Sequence, residues 1–198
     1  MIMSRKGTLR IIAGTAGGLR LACPKSEKIR PTTDRVREAV FNILADRVAG
    51  ARVLDLFAGT GAFGIEALSR GAREAVLVER SRVFATAIAE NLEHTHLADR
   101  ARLITADAFA FPGALPAGEP FDIIFLDPPY RMSMTCEPGS RLADLAKNIT
   151  SHRALAPGGI VLLEHSSGAD LPDRFGRATL SDRRRYGATA VSFYEHRS

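Results

Sequence analysis

Val53-Leu54-Asp55-Leu56-Phe57-Ala58-Gly59-Thr60-Gly61-Ala62-Phe63-Gly64 decides the fold. Val53 to Leu56 reads as a short buried strand, Gly59 and Gly61 as a tight turn, and Phe63 to Arg70 as the opening of a helix. Strand, glycine turn and helix N-terminus together form a site for a nucleotide-type cofactor. Glycine lets the backbone come close to a ligand, and the first turn of a helix presents unpaired N–H groups.

Two cofactor classes fit. Gly59-x-Gly61-x-x-Gly64 matches the dinucleotide fingerprint, and Glu79, 20 residues after Gly59, stands where an acid takes a ribose hydroxyl. Asp55 points elsewhere. A carboxylate at the end of the strand repels a pyrophosphate and favours a cation. S-adenosylmethionine carries a sulfonium and an ammonium and no phosphate. The pattern Asp55-x-Phe57-x-Gly59-x-Gly61 resembles motif I of class I methyltransferases.

Downstream, apolar runs alternate with helical patterns. Gly71 stops the first helix. Ala75 to Val78 is a strand ending at Glu79, and Ser81 is placed to cap a helix through Phe84, Ile88 and Leu92. Arg102 to Thr105 and Phe121 to Leu126 are further strands. Leu142 to Leu155 reads as helix, Pro157-Gly158-Gly159 as a turn and Ile160 to Glu164 as a fifth strand. Two β-like runs, Arg177 to Ser181 and Ala188 to Glu195, flank a polar, Arg-rich connection at Asp182 to Gly187. This order predicts an α/β, Rossmann-like class I methyltransferase fold: a seven-stranded, mostly parallel sheet with helices on both faces. Asp55, Glu79, Asp107 and Asp127 all fall at the carboxyl ends of strands, where such folds bind ligands.

Asp127-Pro128-Pro129-Tyr130 carries the candidate chemistry. An exocyclic amine on a nucleobase is a poor nucleophile because its lone pair is delocalised into the ring. Acceptors on its protons, here the Asp127 carboxylate and the Pro128 carbonyl, turn the lone pair outward. The prolines fix the backbone and offer no competing N–H, and Tyr130 can stack on a flipped base. Rate would come from positioning and electrostatics. By itself the tetrapeptide also reads as a strand-ending turn.

The N-terminal 40 residues hold nine Lys or Arg against three acids, while the rest of the chain holds 18 against 19. A basic extension on a near-neutral body suits a polyanion, or else a solvated arm. Leu9 to Ala13 and Leu19 to Ala22, around Gly14-Thr15-Ala16-Gly17-Gly18, read as a β-hairpin that must dock on the domain or on RNA. The organisation expected is a basic hairpin extension over 1–30 and a methyltransferase domain over 31–198. After Pro31, Thr32 or Thr33 can cap a helix bearing Asp34, with Val36, Val40, Phe41, Ile43 and Leu44 on its apolar side and Arg35 and Arg37 off it. That helix would present Thr32, Thr33 and Arg35 near the cofactor, although a plain capped helix reads the same way. No apolar run approaches the ~18 residues of a membrane span. Cys23 and Cys136, with five scattered histidines, make neither a disulfide framework nor a spaced metal site, so a reduced cytoplasmic protein without metal is expected. A chain of this size can work as a monomer.

Arg10 to Gly14, Arg30-Pro31-Thr32-Thr33-Asp34-Arg35-Val36-Arg37-Glu38, the Asp55 to Gly61 motif and Asp127 to Tyr130, in that order, are similar to one family. It is the bacterial 16S ribosomal RNA guanine-N2 methyltransferase family labelled D, specific for guanine 966. The resemblance implies S-adenosylmethionine as donor and the small ribosomal subunit, or an assembly intermediate of it, as partner. It implies that Asp55, Phe57, Ala58, Gly59, Thr60 and Gly61 hold the methionine part, Glu79 the ribose, Asp107 and Ala108 the adenine, and Asp127 to Tyr130 the target amine. The family's hairpin turn carries an aromatic and basic residues that Thr15 to Leu19 lack. Arg10, Arg20, Arg30, Arg35 and Arg37 are the expected phosphate contacts. Three rivals remain: a DNA adenine or cytosine amine methyltransferase, a non-catalytic RNA-binding assembly factor and a dinucleotide oxidoreductase.

Overall fold

The computed structural model describes residues 9–24, 34–110, 119–129, 132, 134, 136–137, 139–151 and 154–196. The chain divides into two compact units, 1–107 and 108–198.

In the first unit, β1 (Arg52–Asp55), β2 (Glu74–Val78) and β3 (Ala101–Ile104) form a parallel sheet in the order β3-β2-β1. Its registers pair Asp55 with Leu77 and Val78 with Ile104, so the three carboxyl ends lie side by side. All of β1 is buried, as expected of a strand covered on both faces. The sheet packs with α2 (Ala62–Ser69) and α3 (Arg82–His94), and α1 (Asp34–Leu44) precedes it. Val53, Leu54, Ile65, Leu68, Val76, Leu77 and Ile88 are wholly excluded from solvent. Gly71 ends α2 as expected. With φ +99°, its N–H bonds to Leu68 O and that of Ala72 to Ala67 O, the paired bonds of a Schellman motif. Ser81 opens α3 without a side-chain cap; its backbone N–H donates instead to Glu79 Oε1 at 2.7 Å.

The N-terminal segment pairs as a hairpin. Ile11 N–H donates to Leu19 O, Leu21 N–H to Leu9 O, and Arg10 bridges Arg20. It docks on α2 rather than standing free. Ile12 and Ala13 donate N–H groups to Glu66, Thr15 N–H reaches Ser69 O and Ala16 N–H reaches Ser69 Oγ. Gly14, at φ +84°, has to be glycine: a Cβ there would stand 1.9 Å from Ser69 O.

In the second unit, β4 (Phe121–Leu126) pairs in parallel with β5 (Leu155–Ser166). Antiparallel β8 (Thr189–His196), β7 (Ala178–Tyr186) and β6 (Arg174–Phe175) complete the order β4-β5-β8-β7-β6. α4 (Arg141–Ser151) packs near β5 and β6, and Phe175 meets Tyr194 with ring centroids 4.8 Å apart.

Among the described residues there are eight strands where seven were expected, the extra one being the two-residue β6. Three boundaries also move. The helix expected to reach Leu155 ends at Ser151, and Leu155 already pairs with Phe121. Pro157-Gly158-Gly159 is a bulge inside β5, between the pairs Phe121–Leu155 and Ile123–Ile160. The Arg-rich stretch expected as a connection is strand through Tyr186, joined to Thr189 by Gly187-Ala188 alone. No helix among the described residues is long and apolar enough to cross a membrane.

Candidate functional site

Asp55 ends β1 and is 1% exposed, with Gly64 N–H donating to its Oδ2 at 3.2 Å. The turn from Phe57 to Gly61 follows. Gly59 (φ +54°) and Gly61 (φ +79°) both occupy the left-handed region that favours glycine. At Gly59 a Cβ would meet nothing closer than Phe57 O at 3.9 Å, whereas at Gly61 it would press on Ile65 and Leu77 at 3.1 and 3.3 Å. Gly59 therefore leaves backbone open to a ligand, and Gly61 makes room for the protein itself. Gly64 does the same for helix–strand packing, its hypothetical Cβ lying 2.8 Å from Leu77 Cδ2.

Glu79 follows β2 and locks the turn. Its Oε2 accepts Gly59 N–H at 2.9 Å and its Oε1 accepts Ser81 N–H at 2.7 Å. Ala58 N–H reaches Val78 O, and Ala106 N–H reaches Glu79 O. Asp55, Glu79 and the chain leading to Asp107 thus share the carboxyl end of one sheet, and Asp107 is exposed there. No Lys or Arg occurs from Phe57 to Gly64. A buried carboxylate beside a turn without a cation suits a positively charged amino-acid moiety and disfavours a pyrophosphate. The donor set therefore fits S-adenosylmethionine better than a dinucleotide.

In the second unit, Asp127 follows β4 half-buried, Pro128 is buried and Pro129 exposed; Met132 N–H donates to Pro129 O at 2.7 Å. Ala108 opens this unit and is buried. Thr32, Thr33, Arg30 and Tyr130 lie outside the described residues.

Arg37 requires correction. It was expected off the apolar stripe as a phosphate contact, but it is 0% exposed, while Ile43, assigned to the stripe, is 37% exposed. Arg37 instead joins Val40, Phe41 and Leu44 on the buried face. Its NH2 donates to Arg10 O and to Asp34 at 3.0 Å, and its Nε lies 3.7 Å from Glu66. Burial pulls the guanidinium below its ordinary pKa, opposed by the Asp34 and Glu66 charges. Glu66, equally buried, also receives Arg70 Nε at 2.7 Å and the two hairpin N–H groups. Arg10, Arg20 and Arg35 are exposed as expected, with Arg10 lying 3.6 Å from Asp34.

Sequence reading also missed Asn91. Its side chain accepts Ala22 N–H at 2.6 Å and donates to Ala22 O and Thr60 O, tying the hairpin's exit to the cofactor turn. The signal was present: Glu66 sits among apolar neighbours of α2, and Asn91 follows Ile88 by three residues, on the buried stripe of α3.

Comparisons with known proteins bear on the family and the fold. Residues 9–195 match the family model described as conserved hypothetical protein 95. Ribosomal RNA small subunit methyltransferase D of Escherichia coli (strain K12) is 43% identical over 141 residues, 71% of this chain and 70% of the relative. The chain belongs to this family. An E. coli structure, yhhF, provisionally described as a methyltransferase, superposes with TM-score 0.79 at 34% identity, covering 96% of this chain and 99% of the other. The Thermus thermophilus 16S rRNA N2 G1207 methyltransferase, solved with AdoMet and guanosine, gives TM-score 0.66 at 25% identity, over 87% of this chain and 45% of its own. The fold is that of class I methyltransferases, with β6 as an added edge strand.

Proposed function

We propose that this chain methylates the N2 amine of a guanine in 16S ribosomal RNA, with guanine 966 as the position. The donor is S-adenosylmethionine, and the substrate is the small subunit or an assembly intermediate of it. The observation that carries the reading is the Asp55–Gly59–Glu79 arrangement, a carboxylate-lined turn with open backbone, in a chain whose relative is a ribosomal RNA methyltransferase. S-adenosylmethionine supplies an electrophilic methyl group. Asp55 and the turn from Phe57 to Gly61 hold its charged amino-acid end. The Glu79 carboxylate, fixed by two backbone N–H groups, keeps lone pairs for the ribose hydroxyls. Asp107 and the Ala108 backbone take the adenine, and Thr32 and Thr33 border the cofactor.

Asp127 accepts one proton of the target amine and the Pro128 carbonyl the other. The nitrogen lone pair is thereby turned out of conjugation toward the methyl carbon. Pro129 restricts the backbone that presents these acceptors, and Tyr130 stacks on the extruded base. After transfer the surplus proton leaves to solvent. Residues 1–30 form the basic extension, with Arg10, Arg20, Arg30 and Arg35 on phosphates. Cytoplasmic location and a monomeric state complete the reading.

The test is methyl transfer from labelled S-adenosylmethionine to small subunits lacking the modification, beside naked 16S RNA and duplex DNA, with the nucleoside identified by mass spectrometry. N2-methylguanosine in RNA is the expected product; label in DNA would overturn the reading. Asp127→Ala should abolish turnover while keeping cofactor affinity, and an active variant would remove Asp127 from the mechanism.

A further inference from the structure

The N-terminal extension is not the chain's only basic surface. Residues 173–185 hold five arginines against two aspartates, whereas the rest of 108–198 holds five basic against eight acidic side chains. The second unit is neutral overall because one basic strip cancels an acidic remainder. That strip lies on β6 and β7, at the edge of the unit's sheet. Arg174, Arg177, Arg184 and Arg185 are exposed. Among the described residues the side chains of Arg174, Arg177 and Arg185 make no hydrogen bond or ion pair. Arg184 pairs with Asp182 at 2.7 Å, but its side chain is 57% exposed, and such pairs hold a guanidinium weakly.

The placement suits a strand of phosphates. Arg174 stands opposite Thr179, and Arg185 follows six residues along β7, so the strip runs roughly 20 Å at about 3.3 Å per residue. After the bulge between Leu180 and Asp182, Arg184 and Arg185 leave opposite faces of the strand. The charge therefore wraps the edge rather than lying on one face. Arg183 is spent internally, with Nε on Ser192 Oγ at 3.0 Å, so it sets the strand and leaves its neighbours outward. Beyond the short β6, β7 is an edge strand. Edge strands often carry charge simply to block pairing with other chains. That role needs charge of either sign, whereas this strip is a cationic excess on an otherwise acidic unit.

We propose that Arg174, Arg177, Arg184 and Arg185 form a second RNA-phosphate contact surface, separate in sequence from the N-terminal extension, which anchors the ribosomal RNA flanking the target base. The proposal rests on the RNA-methyltransferase reading above. A second group of phosphate contacts would add orientation to a long substrate. Phosphate contacts of this kind give orientation and affinity without sequence choice.

The experiment compares wild type with the quadruple Arg→Gln and the quadruple Arg→Lys variants. It measures 16S RNA affinity against salt, S-adenosylmethionine affinity, thermal midpoint and methyl transfer to small subunits. The Gln variant should bind RNA at least about tenfold more weakly at low salt. Its log–log salt slope should be shallower by roughly 3, at about 0.7 to 0.9 per phosphate contact. Cofactor affinity and thermal midpoint should be unchanged, and the Lys variant should keep the wild-type slope. A Gln variant with wild-type slope and RNA affinity would overturn the proposal and leave edge protection as the strip's role. Weakened binding to subunits with unchanged binding to naked RNA would also overturn it, by assigning the strip to a ribosomal protein. Absence of methyl transfer to any RNA by the wild-type protein would overturn the functional reading itself. The two failures are thus distinct.

Discussion

Replacing Arg37 by methionine separates a buried clamp from a phosphate contact. Methionine fills much of the volume but makes none of the three polar contacts. Loss of the hydrogen bond from a charged donor to the Arg10 carbonyl costs about 1.5–3 kcal/mol. The pair with Asp34, itself 37% exposed, adds at most about 1 kcal/mol after solvent screening. Breaking a buried ion pair costs about 3–5 kcal/mol when the partner is stranded. Glu66, however, keeps Arg70 and two backbone N–H groups, and the methionine avoids the desolvation of a guanidinium. The net expectation is a loss of about 2–3 kcal/mol, or roughly 4–12 °C in thermal midpoint for a chain of this size. Calorimetry measures that loss. RNA titrations well below the midpoint should show an unchanged salt slope. Arg35→Gln, on the exposed side of the same helix, should do the reverse, with stability within about 0.5 kcal/mol of wild type and a slope shallower by about 0.7 to 0.9. An Arg37→Met protein with an unchanged midpoint and a shallower slope would refute the clamp.

Three further outcomes follow from the cofactor unit and the second sheet. Gly64→Ala places a methyl 2.8 Å from buried Leu77; overpacking of about 1–3 kcal/mol should exceed the roughly 1 kcal/mol gained in helix propensity, and Leu77→Val should restore the melting temperature of the double variant. Glu79→Gln cannot accept both turn N–H groups, so isothermal titration should show S-adenosylmethionine binding weakened about tenfold or more, since one lost partner to a charged acceptor is worth about 1.5–3 kcal/mol. His165 is 3% exposed, with its ring bonded to Ser192 Oγ and Ser166 O, and burial, together with the Arg183 and Arg185 charges, lowers its pKa. Its contribution is complete above the unfolded value of about 6.5 and is lost as pH falls toward the lowered folded value, so wild type should lose stability across that acid window and His165→Asn should lose less, as read by denaturant titration at stepped pH.

β1, β2 and β4 were legible because they are largely buried and each ends at or just before an acid. Val53 to Leu56, Ala75 to Val78 and Phe121 to Leu126 are apolar runs that need no periodicity to be recognised. The candidate acids were legible for the same reason: a charged residue directly after such a run has nowhere to be but the sheet's carboxyl end. What failed depends on distant partners. Pro157-Gly158-Gly159 carries every local sign of a turn, yet β4 resumes pairing beyond it and turns it into a bulge. Asp182 to Gly187 is polar because an edge strand has less to bury, so polarity there could not tell strand from loop. Arg37 follows the helical phase of Val40, Phe41 and Leu44, and only its charge argued for the surface. Its ion-pair partner Glu66 and its acceptor, the Arg10 carbonyl, are 29 and 27 residues away in sequence and cannot be seen in a window of one helix.

The same long-range pairing fixes the hairpin turn on the cofactor unit. Gly14 to Gly18 is not a free tip. Ala16 is 2% exposed; Ile12 and Ala13 donate their N–H groups to Glu66, and Thr15 and Ala16 donate theirs to Ser69 of α2, while Gly17 and Gly18 donate within the hairpin. A bulky side chain at Gly14 would strike Ser69 O, so close docking on the helix excludes a large group at the turn's first position. On the arms, Arg10 and Arg20 sit opposite one another across the bridge, and both are exposed. Arg37 holds the Arg10 carbonyl from below while the Arg10 side chain stays 63% exposed. One arginine thus fixes the backbone from which the other reaches outward. The Asn91 side chain does the corresponding work at the other arm, joining Ala22 to Thr60 in the cofactor turn. The described hairpin is in this way built into the cofactor unit, and its packing on α2 and α3 sets its orientation toward the cofactor turn.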